Sequence, residues 1–128
     1  MRDFYNNVSP AVSLKFAVMK ADTLGDAVDL QGYEGALVII ATGAITDGTH
    51  TIELHESDDD STYTKVDSSD ILGTLPAISA TDDDKVYRVA YIGKKRYLKV
   101  KTVVTGSPST GGLYGAVVVR GFPRHAPV

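Results

Sequence analysis

With 128 residues, 43% of them hydrophobic, and a formal charge of −3, the chain is long enough for one domain that buries roughly two-thirds of its unfolded surface. It is neither a disordered tail nor the strongly basic domain that binding to a nucleic-acid duplex calls for. It has no cysteine, which excludes a disulfide scaffold and a thiolate metal site.

In chain order, residues 1–10 hold no apolar run suited to a signal peptide. They read as an extended arm carrying Arg2, Phe4 and Tyr5, and the protein is expected to be made in the cytoplasm. Residues 13–18 alternate, which puts Leu14, Phe16 and Val18 on one side of a strand. Residues 18–28 have room for a helical turn, but Gly25 argues against a long helix. A short run at 27–30 ends in Gln31-Gly32-Tyr33-Glu34-Gly35. Residues 36–41 are apolar on both faces, the mark of a strand covered on each side or lying at a subunit contact. This run is far short of the ~20 residues that cross a bilayer. Thr46-Asp47-Gly48-Thr49 has turn chemistry, and residues 51–56 alternate again, with Ile52 and Leu54 inward and Glu53 and His55 outward. The expected pairing is a hairpin of 36–42 with 50–56.

A polar loop at 57–61 precedes a short edge strand at 63–66, and residues 68–84 are the least regular part of the chain. Residues 85–92 and 96–104 read as a second hairpin about Gly93-Lys94-Lys95. In its second strand Leu98, Val100 and Thr102 face one way and Tyr97, Lys99 and Lys101 the other, giving a cationic outer face. Residues 105–112 are a flexible loop by composition. Residues 113–120 form the last strand, and 121–128 a second arm that carries Phe122. About eight strands with turn residues between them predict an all-β fold: an antiparallel β-sandwich or barrel with extended terminal arms, in a single domain over 1–128.

The chemistry of a catalyst is thin. His50 and His55 fall on opposite faces of one strand, His125 lies in the tail, and zinc needs three or four converging ligands. Asp58-Asp59-Asp60 and Asp82-Asp83-Asp84 are adjacent rather than alternate, so neither has the register of a calcium loop. No Gly-x-Ser-x-Gly elbow or phosphate-binding glycine loop occurs. The expectation is no enzyme, no cofactor and no metal. Tyr87, Tyr91 and Tyr97 lie among basic residues, as in single-strand nucleic-acid binders, but the acidic balance argues against that partner. Acidic residues gather at 53–60 and 82–84 and basic ones at 94–101 and at Arg120 and Arg124, a distribution suited to packing beside further copies or on a charged lattice, or to ordinary solvated loops and strand faces.

The run VDLQGYEGALVIIATGAITDGTHTIELHESDDDSTYTKV, residues 28–66, resembles small virion proteins of tailed bacteriophages and prophages. The shared pattern is a short strand, an apolar strand, a Gly/Asp turn, an alternating strand, and an acidic loop before an edge strand. The run KKRYLKVKTVVTGSPSTGGLYGAVVVRGFPRHAP, residues 94–127, is similar to the way such proteins close. The resemblance implies a structural role, nearest to a capsid decoration (cement) protein that binds the major capsid protein from outside and braces the head. It also implies a homo-oligomer, often a trimer, on the outer capsid surface of the virion, with no nucleic-acid or membrane partner. Contacts are then expected from Arg2, Phe4 and Tyr5 in the first arm, Phe122 in the second, and Arg96, Lys99 and Lys101 on the cationic strand. The alternative is a virion-surface or tail-associated adhesion module that binds host glycan.

Overall fold

Alternating and β-branched runs make every long element of this protein a strand. The computed structural model describes residues 3–124, so Arg2 and His125 lie outside the described residues. The strands are β1 (Val8–Met19), β2 (Thr23–Leu24), β3 (Val28–Asp29), β4 (Tyr33–Ile45), β5 (Thr49–Ser57), β6 (Thr64–Lys65), β7 (Ile71–Leu72), β8 (Ala77–Ile78), β9 (Val86–Tyr91), β10 (Tyr97–Thr105) and β11 (Gly112–Pro123). Six are long and five are two-residue stubs. They form two antiparallel sheets. The first runs β1-β11-β4-β9-β7, and the second β2-β10-β5-β6 with β3 on β10 and β8 on β5. One apolar core lies between them. It takes Val38 and Ile40 from β4, Val89 from β9 and Val118 from β11, with Ile52 and Leu54 from β5 and Leu98 and Val100 from β10. The fold is therefore the predicted all-β sandwich.

Neither expected hairpin forms. β4 pairs with β11 and β9, so both its edges are occupied, and β5 lies in the other sheet against β10. β9 and β10 likewise belong to different sheets. Asp47-Gly48 and Gly93-Lys94-Lys95 are corners that carry the chain across the sandwich. The same turn residues serve a hairpin or a corner, and alternation along a strand names a face but not a neighbour.

β1 departs from its alternation for a visible reason. Its ladder with β11 slips between Val12 and Leu14 and again between Leu14 and Ala17. An extra residue in one strand reverses the facing of all that follows. Leu14 is buried, while Phe16 and Val18 point out. The arms are also shorter than predicted. Residues 8–10 pair with 119–121, so the strand ladder takes the inner end of each arm. The loop at 105–112 is held in place: the Asp47 carboxylate accepts hydrogen bonds from the backbone amides of Ser109 (3.0 Å), Thr110 (3.3 Å) and Gly111 (2.5 Å). Those bonds, the Gly111 amide first among them, hold the Asp47 carboxyl below the usual carboxylate range.

Candidate functional site

The two outer faces of the sandwich have opposite chemistry. On the first sheet the ladder register places Val12 opposite Val117 and Pro10 opposite Val119. It then sets Val117 against Ile39, Val119 against Leu37, and Leu37 against Ala90. Ala41 meets Val86 and Ala90 meets Leu72 at the far side. All of these face away from the core, because Val38, Ile40, Val89 and Val118 between them are buried. Among the described residues, Arg88, opposite Ile39, is the one charged side chain that the register puts amid this set. Val86 is 71% exposed and Leu72 58%.

Glycines make this face level. A Cβ on Gly115 would meet the Phe16 ring at 2.6 Å, and one on Gly35 would meet the Phe122 ring at 2.9 Å. Each ring therefore lies over bare backbone instead of standing out from the sheet. Phe122 reaches this place through a positive φ of 52°, which turns its side chain to the other side of the strand.

The outer face of the second sheet is charged. Lys101 lies opposite Glu53, and Lys99 opposite His55, which in turn faces Lys65. Glu53 accepts from His55 Nε2 at 3.1 Å and lies 3.6 Å from Lys65 Nζ. Burial alone would raise the Glu53 carboxyl, but the His55 hydrogen bond and the Lys65 and Lys101 charges together bring it below its ordinary value. The Lys99 ammonium sits over the Tyr63 ring, 4.2 Å from its centroid. Arg96 makes a bidentate pair with Asp29, at 3.0 and 2.8 Å, and its guanidinium also lies against Tyr97. The hydrogen bond from Arg96 is the main cause of a lowered Asp29 carboxyl.

Of the residues expected to make contacts, Lys99 and Lys101 share this face along β10, while Arg96, just ahead of that strand, pairs with Asp29 at the end of the sandwich. Phe4 and Tyr5 are exposed beside a short 3-10 turn at Tyr5–Asn7, ahead of β1. Phe122 belongs to the apolar face, and Arg2 is outside the described residues. The apolar face as a whole went unread from the sequence. Its visible signals were the doubly apolar runs at 36–41 and 117–119.

A cleft of about 340 Å³ opens at one end of the sandwich, between the Gly32–Gly35 turn and the Gly93–Arg96 corner. Three of the cations on its wall already have partners: Lys95 with Asp58 at 2.6 Å, Arg96 with Asp29, and Arg124 with Glu34 at 2.6 Å. Its Tyr91 hydroxyl donates to Glu56 at 2.6 Å and accepts from the Lys95 amide at 3.1 Å. In the core, His50, Tyr114 and Thr102 form a closed polar chain. His50 Nε2 donates to the Asp47 carbonyl (3.0 Å), the Tyr114 hydroxyl donates to His50 Nδ1 (2.9 Å), and the Thr102 hydroxyl donates to Tyr114 (2.6 Å). Among the described residues, no group of three or more His, Asp or Glu side chains is placed to hold a metal ion.

Comparison with known proteins bears on the fold. No protein-family profile matches the chain, and no curated protein matches it in sequence. A solved structure does. The chain is similar to the SPBc2 prophage-derived protein YomS, with a TM-score of 0.53 and 14% identity over 88% of this chain and 93% of that one. At that identity the likeness is one of fold: nearly the whole sandwich is shared with a protein of prophage origin.

Proposed function

We propose that this chain is a non-enzymatic structural protein of a tailed-bacteriophage virion, a capsid decoration protein that binds the major capsid protein lattice as a homo-oligomer, with three copies as the resemblance implies. The observation that carries this reading is the pair of outer faces: one apolar and level, the other charged. A subunit built this way has two kinds of neighbour. Its sequence resemblance to small virion proteins and its fold likeness to a prophage-derived protein support the phage setting. The charged face, with Lys99, Lys101 and Lys65 interleaved with Glu53, suits a lattice whose repeated sites let many individually weak contacts add up. The exposed Phe4 and Tyr5, just ahead of β1, add apolar anchors. A glycan-binding reading would need a platform of free tyrosines. In the cleft, Tyr91 is engaged by Glu56 and Lys95, and Tyr33 by the Arg120 guanidinium, 5.1 Å from its ring centroid.

Co-sedimentation with empty shells of the cognate major capsid protein tests the proposal. The wild-type chain should pellet with shells, and less so as salt is raised. Lys99→Glu with Lys101→Glu should weaken binding at least about tenfold, a change of about 1.4 kcal/mol. Removing residues 1–7, which precede β1, should weaken it while leaving the fold intact. A wild-type chain that stays in the supernatant at low salt refutes the reading.

A further inference from the structure

We propose that the outer face of the first sheet, centred on Leu37, Ile39, Val117 and Val119, is covered by neighbouring copies of this chain. This deepens the reading above by giving the self-association it invokes to one face and leaving the charged face for the lattice.

Area comes first. Eight steps along β11 from Leu113 to Gly121 and four strand spacings from β1 to β7 span about 26 by 19 Å, or about 500 Å² per copy. Two such faces bring about 1,000 Å² together, the size at which specific interfaces begin. The largest apolar patch on an ordinary monomer is about 300–600 Å² and usually functional.

Composition points to the same occupant. Interfaces between identical subunits are the more apolar class, while contacts made after separate folding carry more charge. Arg88 is the lone charge in the ladder set described above. A bare face of this kind is an aggregation hazard from the moment the chain folds. A second copy is the partner always present at synthesis, whereas a capsid is met later. Shape agrees. With the Phe16 and Phe122 rings laid over Gly115 and Gly35, two such faces meet without ridges that must interlock.

Light scattering on a sizing column measures the mass. The wild-type chain should run as a closed oligomer of two or three copies at micromolar concentration. Ile39→Lys, at the centre of the face, should run as a folded monomer with unchanged circular dichroism. If Ile39→Lys fails to fold, Val12→Lys with Val86→Lys gives the same readout, because the two side chains are 49% and 71% exposed. A monomeric wild-type chain, or folded variants that keep the wild-type mass, overturns the proposal. The shell assay separates this from the functional reading. An oligomer that ignores shells refutes capsid binding but leaves the face assignment standing, and a monomer that binds shells does the reverse.

Discussion

Replacing Tyr114 with Phe removes one oxygen from the centre of the core. That oxygen joins His50 and Thr102, and all three side chains are fully buried. The ring keeps its packing, including its edge-on contact with His50 at a centroid distance of 5.1 Å, so little cavity is made. What is lost is polar satisfaction. His50 Nδ1 is left as an acceptor without a donor, and the Thr102 hydroxyl as a donor without an acceptor. Each stranded group is neutral and falls in the lower part of the usual range, about 1–2 kcal/mol, so the expected loss is about 2–4 kcal/mol. For a domain of this length that corresponds to a fall in Tm of about 6–20 °C. Urea or thermal unfolding followed by circular dichroism measures it. Adding Thr102→Val to the Phe variant removes one stranded hydroxyl and should return about 1 kcal/mol, a coupling that a double-mutant cycle isolates. A Phe variant within about 0.5 kcal/mol of wild type, with no coupling to position 102, would refute the argument.

Two further outcomes follow from the same geometry. Burial pushes the Tyr114 phenol up to about 12, against the smaller opposing effect of the Thr102 hydrogen bond. A phenol raised in the folded state contributes stability that is fully present below its unfolded value of about 10 and is lost as pH rises from there toward 12; urea midpoints at pH 9 and 11 should therefore fall more steeply for wild type than for Tyr114→Phe. Asp47→Ala should speed hydrogen exchange at the amides of Ser109, Thr110 and Gly111 while leaving Val118 in the central ladder protected, and unchanged exchange at those three amides would show that the carboxylate does not hold the loop.

How much was legible divides by the range of the interaction. Residues 51–56 and 97–102 declared their inner and outer sides because alternation is local, and Ile52, Leu54, Leu98 and Val100 are buried as read. Partner choice is not local. The 36–42 and 50–56 segments are joined by Asp-Gly and look like a hairpin, yet each pairs with a strand some forty or more residues away, β11 and β10. Bulges are also silent in composition, so the two slips in β1 hid the outward turn of Phe16 and Val18. The charged face was read from β10 alone because Lys99 and Lys101 carry it. The apolar face needed five strands brought together in register, so only its central runs, 36–41 and 117–119, left a trace in the sequence.

The edges of the sheets say how such a face can be used safely. β1 is the long edge strand of the first sheet, and it carries Pro10 and two bulges; its Ser13 carbonyl is already taken by the Asp26 amide at 2.6 Å. At the opposite edge β7 covers two residues of the six-residue β9, and the second sheet ends in the two-residue β2 and β3 on one side and β6 and β8 on the other, β6 bearing Lys65. Short, bulged or charged edges resist strand-to-strand addition, the route by which β proteins grow into open fibres. With edge growth discouraged in these ways, the proposed self-association runs through faces, where symmetry can close a small oligomer. In the proposed assembly the charged face is left on the outside, repeated once per copy. There, that repetition lets exposed ion pairs, each worth at most about 1 kcal/mol, add up over many copies.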